Sequence, residues 1–217
     1  MSEEGPGATG IALQFDDAAQ RSSAAKLGMW TFLATEVLFF GVLFVSYMAG
    51  RVMHLDAFKQ ASKHTDVVLG TIETCVLLSS SFTMALAARA VELGTVRPAR
   101  RLLGLTAMLG LAFLGIHAKE YIDEFGEHLV PGLGFEFPGS ESTGAELFFL
   151  LYYITTGFHG LHVTIGIAVI AGVALRIGRP GAEVVRRDVA ETAALYWHLV
   201  DIVWVWVFPL FYLVSRV

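Results

Sequence analysis

Three polar pairs in this chain share one spacing. His159 and His162 stand three residues apart in TTGFHGLHVTIG. His117 precedes Glu120 by three in HAKEY, and His198 precedes Asp201 by three in YWHLVD. On a helix, positions three apart lie on neighbouring faces, so each pair can act together. Two histidines so placed would allow a shared metal, and four histidines near apolar segments raise a haem or copper reading. Metals need further ligands at matched depth, however, and a His-x-x-His alone is a weak signature. The plainer reading is interior histidines satisfied by carboxylates. In that reading Glu120 and Asp201 hold the tautomer of His117 and His198, or bridge helices.

Two further acids stand alone. Glu36 lies near the middle of the apolar run TEVLFF, and Glu73 lies in GTIETC. A charged side chain at the centre of a membrane helix costs about 2.5–3.5 kcal/mol on insertion scales. Such a group has a partner inside the protein or a function. For Glu36 the alternatives are an interhelical hydrogen bond, proton movement or lipid contact. Glu73 can face Glu36 across a helix pair, or serve packing.

These residues sit in five long apolar segments, at about 27–49, 67–90, 102–121, 145–175 and 192–214. A helix needs roughly 20 residues to cross a hydrocarbon layer of about 30 Å. The pattern predicts an all-α, polytopic membrane helix bundle with five transmembrane helices. The fourth segment is longest and should tilt or project beyond the lipid. A membrane β-barrel would alternate polarity in short stretches, which these continuous runs do not. Composition agrees, with 55% hydrophobic and 16% charged residues, against roughly 25% charged in soluble domains. The net charge of −5 gives no reason to expect a nucleic-acid partner, and one cysteine, Cys75, excludes an intrachain disulfide.

Residues 1–25 read as a polar N-terminal arm without the apolar core of a secretory signal, and residues 26–217 as the membrane domain. The N-terminal side and the second and fourth loops hold Arg21, Lys26, Arg89, Arg97, Arg100, Arg101, Arg176, Arg179, Arg186 and Arg187. The opposite side holds Arg51, Lys59, Lys63, Lys119 and Arg216. Ten against five places the N-terminus in the cytoplasm and the C-terminus outside. The third loop, about 122–144, carries Asp123, Glu124, Glu127, Glu136 and Glu141 and reads as an irregular hairpin with apolar anchors. Thr155, Thr156, Gly157 and Gly160 keep the fourth span slim, which permits close helix contact. The apolar surface exceeds what five helices can hide, so lipid or a larger membrane partner covers the rest.

The segments KLGMWTFLATEVLFFGVLF (26–44), HAKEY (117–121), TTGFHGLHVTIG (155–166) and YWHLVDIVWVWVFPLFY (196–212) are together specific. On them the chain resembles subunit III of the haem-copper terminal oxidases, from Lys26 onward. The resemblance implies a non-redox accessory subunit of a proton-pumping oxidase that carries electrons from cytochrome c to oxygen in a bacterial cytoplasmic (inner) membrane. Haem and copper would reside in partner subunits I and II, and no catalytic, cofactor or metal ligand is expected in this chain. Bound phospholipid is expected, as are cytochrome c-containing supercomplex partners. The chain would stabilise the catalytic subunit, support proton uptake and protect the centre from turnover inactivation. Glu36 matches the family's membrane carboxylate, and Glu120 and Asp201 match recurrent acids. His159, His162 and His198 match polar packing or lipid-site residues. Many members have seven spans with a lipid-filled cleft behind the first two. Only the last five appear here, with a polar arm in place of the first pair.

Three other readings remain at this stage. The complex can be a quinol oxidase or be associated with a nitric oxide reductase. The chain can be a transporter coupled through Glu36 and Glu73, although the internal repeat common in transporters is missing. It can also be a stand-alone haem enzyme built on its histidines.

Overall fold

The computed structural model describes residues 18–132, 135–137, 142–177 and 183–213. It contains six helices among these residues: α1 (Ala18–Met53), α2 (Leu55–Ala61), α3 (Val67–Glu92), α4 (Val96–Gly126), α5 (Ser142–Arg176) and α6 (Glu183–Tyr212). All except α2 contain a stretch long and apolar enough to cross a membrane. The fold is an all-α bundle of five such helices, as the apolar runs predict. At about 1.5 Å per residue, the 35 residues of α5 extend well past the hydrocarbon.

Two boundaries differ from expectation. α1 opens at Ala18 rather than near Leu27, because Ala24, Ala25 and Lys26 are good helix formers and carry the helix beyond its apolar part. That takes 18–25 out of the polar arm, while residues 1–17 lie outside the described residues. The short α2 was also unforeseen. Its buried Ala57, Phe58 and Ala61 seat it in the bundle.

The loops explain the antiparallel order. Asp66 caps α3 by accepting from the backbone N–H of Val68 at 2.8 Å and of Leu69 at 3.1 Å. At the other end Gly94 takes a left-handed φ of 72°. Its N–H donates to Val91 O, and the Thr95 N–H donates to Ala90 O. This is the paired hydrogen-bond closure that glycine permits just past a helix end. α4 begins two residues later. Asp66→Ala is expected to cost about 1 kcal/mol through the lost cap. A lower thermal unfolding midpoint in detergent, with unchanged subunit composition, is the measurement that checks it.

Helices α3, α4, α5 and α6 form a closed ring, each packed on its two neighbours. α1 lies outside, against α5 and α6, and α2 packs on α5 and α1. Among the described residues α1 touches neither α3 nor α4. The ring is filled by large aromatic side chains, among them Phe113, Tyr152, Trp197, Trp204 and Tyr212. The indoles are not left polar and dry. Trp197 Nε1 donates to Ser80 Oγ at 3.0 Å and Trp204 Nε1 to Thr74 Oγ1 at 3.1 Å, joining α6 to α3. Space for Trp197 comes from two glycines. A Cβ built on Gly110 of α4 would stand 2.8 Å from its Cη2, and one on Gly166 of α5 would stand 2.8 Å from its Cε3.

Pro209 removes an N–H inside the last turns of α6. Nearby carbonyls find other donors: the Tyr47 hydroxyl donates to Leu210 O, and Thr65 Oγ1 donates to Phe211 O at 3.3 Å. At the opposite end Arg100 Nε donates to Ala174 O at 3.0 Å, which satisfies a carbonyl in the last turn of α5. In the third loop Phe135 and Phe137 stack together, Phe135 lies tilted against Phe149 and Phe137 lies edge-on to His64. These are the apolar anchors foreseen there. Residues 133–134 and 138–141 of that loop lie outside the described residues.

Candidate functional site: paired polar groups inside the membrane bundle

The intramembrane polar residues fall into three groups. The first joins α1 to α5. His162 Nε2 stands 3.0 Å from Glu36 Oε2, and both side chains are about one-sixth exposed, at 15% and 16%. His162 Nδ1 lies 2.7 Å from Phe158 O, one turn earlier on α5. A carbonyl can only accept, so Nδ1 carries a proton. The contact between Nε2 and Glu36 therefore holds one proton that either partner can own. The two arrangements are carboxylic acid with neutral imidazole, and carboxylate with imidazolium. Both are neutral overall, which makes the pair tolerable at membrane depth. The Phe40 ring lies edge-on to His162, and the Tyr196 hydroxyl donates to His162 O at 3.0 Å.

The second group is buried in the ring. His117 Nδ1 of α4 stands 3.4 Å from Glu73 Oε1 of α3 and 3.6 Å from Glu120 Oε2. Neither contact is a hydrogen bond, and both ring nitrogens and both Glu73 oxygens lack one. Glu120 Oε2 accepts from the Tyr212 hydroxyl at 2.6 Å, and Tyr212 is 3.3 Å from the Tyr152 hydroxyl. His159 lies close by, fully buried between Phe113 and Trp204, with no hydrogen bond from its ring. Glu124, one turn beyond Glu120, is buried on the same face.

The third group joins α6 to α3. His198 Nδ1 is 2.7 Å from Ser81 Oγ. Asp201 is buried, and its oxygens have no well-formed hydrogen bond. Of the two arrangements open to His198, the bridge between helices is the one that forms, to Ser81 on the facing helix rather than to Asp201.

These positions decide which side chains meet. His159 and His162 diverge: the former enters the aromatic core and the latter turns to α1. They do not share a metal position, nor do the four histidines converge. Glu36 and Glu73 sit on helices that do not touch, so they do not face each other. His117 and Glu120 do come together, with Glu73 as the third member. Glu124 was assigned to the acidic loop, yet Phe113, His117, Glu120 and Glu124 follow the three-and-four spacing of one helix face. That period was readable in the sequence. Ser81, Tyr152 and Tyr212 carried no comparable signal.

The family model described as cytochrome c oxidase subunit III matches residues 12–216. The chain belongs to the cytochrome c oxidase subunit III family. Cytochrome c oxidase subunit 3 of Thermostichus vulcanus is 35% identical over 208 residues, covering 95% of this chain and 96% of that relative. Cytochrome c oxidase subunit 3 of Corynebacterium diphtheriae is 32% identical over 201 residues, covering 91% and 92%. Quinol oxidase subunit 3 of Bacillus subtilis is 31% identical over 195 residues, covering 87% and 86%. As a member of the subunit III family with five long apolar helices, the chain is a multi-pass membrane protein.

Proposed function

We propose that this chain is the non-redox accessory subunit of an oxygen-reducing, proton-pumping haem-copper oxidase of the bacterial cytoplasmic membrane. Electrons pass from cytochrome c to oxygen through haem and copper held by subunits I and II. This chain packs beside those subunits, holds phospholipid, supports proton uptake and stabilises the catalytic subunit. Its N-terminus faces the cytoplasm. The observation that carries the reading is the nearly full-length match to the subunit III family.

Three features of the molecule support it. Side chains such as Leu38, Val42 and Val45 on α1 and Met108 and Leu111 on α4 are largely exposed. An exposed apolar face of this extent calls for lipid or a membrane partner. His159 and His162 point apart, which argues against a haem or copper site on that motif. Glu36 and Glu73 lie on helices without contact, which argues against a single carboxylate-coupled transport path.

The test is purification of the native complex in mild detergent. Copurification of two larger subunits bearing haem and copper supports the reading. Recovery of this chain alone, or with haem bound to it, sinks it. Copper in the copurified subunit II marks cytochrome c as donor; its absence marks quinol, the donor in the name of the Bacillus subtilis relative.

Glu36→Gln supplies a finer prediction. A neutral amide can donate to His162 Nε2 and so keep the α1–α5 hydrogen bond. The variant complex is expected to assemble with an unchanged haem spectrum. Loss of haem from the purified variant would contradict this.

A further inference from the structure

Glu73, His117 and Glu120 have no role in the function proposed above. All three side chains are at least nine-tenths buried, and each offers one ligand atom within 4.8 Å of the other two. Burying the Glu73 carboxyl group and the His117 imidazole without hydrogen bonds is costly. A second ring of contacts shows that the cluster is built rather than accidental. Tyr212 donates to Glu120 Oε2, Tyr152 stands behind Tyr212, and the His117 ring stacks on Phe113 at 5.7 Å. The Glu120 carboxylate and the imidazole are therefore held in place, yet His117 Nδ1 reaches neither carboxylate with a hydrogen bond.

We propose that Glu73, His117 and Glu120 bind a divalent zinc-class ion. The separations favour this. Ligands about 2.0–2.1 Å from a tetrahedral zinc lie about 3.3–3.4 Å from one another. The His117 Nδ1 to Glu73 Oε1 distance is 3.4 Å and the Nδ1 to Glu120 Oε2 distance is 3.6 Å. Neither contact is a hydrogen bond, and both distances are close to the edges of such a coordination shell. Two carboxylates and one dication sum to zero, the charge a membrane interior favours. The donor set, one imidazole nitrogen with two carboxylate oxygens, suits zinc over magnesium or calcium, which prefer all-oxygen shells. Tyr212 supplies the outer hydrogen bond that orients a ligating carboxylate. The site also lies near an end of the bundle. Glu73 follows the start of α3 by six residues and Glu120 precedes the end of α4 by six, about 9 Å in each case. Asp123 and Glu127 at that end draw cations toward it. The ion is structural: it clamps α3 to α4 and takes no part in electron transfer.

The test uses the intact complex as purified with its partner subunits. The wild type, Glu73→Gln, His117→Gln and, as a control outside the site, Glu36→Gln are stripped with a chelator. Each is re-equilibrated with micromolar Zn2+ and its zinc counted by mass spectrometry per copy of this chain. The wild type and Glu36→Gln are expected to hold one more zinc than the two site variants. Zn2+ is expected to raise the thermal unfolding midpoint of the wild type and leave those of the site variants unmoved. Equal zinc in all four proteins, or none above the chelated baseline, overturns the proposal. Should the site variants not assemble, zinc X-ray absorption of the wild type decides. One imidazole among oxygen neighbours supports the site, and any other shell, or no zinc, rejects it.

Discussion

Gly166→Leu is expected to disrupt the packing of α5 against α6. The first added carbon would meet Trp197 Cε3 and Cζ3 at 2.8 Å and Tyr196 Cε1 at 3.2 Å. Trp197 has no room to retreat. Its far edge already touches Gly110 of α4, and its Nε1 is fixed to Ser80 of α3. Overpacking of a filled core costs about 1–3 kcal/mol and occasionally more; with the indole held on three sides, the upper end applies. The variant should unfold at lower temperature and yield little assembled complex. Trp197→Ala alone removes the core's central ring and should cost about 3–5 kcal/mol. The double variant Gly166→Leu/Trp197→Ala places the leucine in the space vacated by the indole. It should be more stable than the sum of the single effects predicts, with a coupling of about 1–3 kcal/mol. Additive losses would show that the contact does not govern α5–α6 packing.

That prediction depends on a rotation, and rotations are what the sequence did not disclose. The spans themselves were legible, because runs of more than twenty apolar residues have few other uses. Their ends were less so. The hydropathy of α4 stops near Tyr121, while the helix continues to Gly126 and carries Glu124 inward. The same holds at the start of α1, where alanines and lysine extend a helix that apolarity does not mark. Spacing of three correctly placed His117 beside Glu120, since one helix fixes both. For His198 it left a local contact with Asp201 and a bridge between helices both open, and His198 makes the bridge, to Ser81 of the facing helix. Glu73 could only be assigned once α3 and α4 were seen side by side. The contact of Glu36 with His162 likewise joins residues 126 positions apart. Local periodicity gives the face a residue occupies. It does not give the neighbour across the gap, and the chemistry of these acids is set by that neighbour.

An oxidase purified without this chain is expected to reduce oxygen at its ordinary initial rate and to lose activity within several-fold fewer turnovers. In the proposed complex the reacting atoms belong to subunits I and II, so removing an accessory subunit leaves the chemical step in place. What leaves with the chain is an extensive apolar face and the neutral proton-sharing pair Glu36–His162 on its outer helix seam. In the proposed role both bear on how protons and lipid reach the catalytic subunit, and a shortage there would damage the enzyme once per cycle rather than at rest. The loss should therefore scale with turnovers completed and not with time in the cuvette. Oxygen-consumption traces at several donor concentrations separate the two: plotted against oxygen consumed, the decays should coincide. Glu36→Gln then divides the cause. Its amide preserves the α1–α5 hydrogen bond and the apolar face but has no acidic proton to exchange. A lifetime as short as that of the subunit-free enzyme assigns protection to the proton pair, whereas a wild-type lifetime assigns it to coverage by the helices. If the enzyme without the chain survives as many turnovers as the complete complex, the protective role itself is wrong.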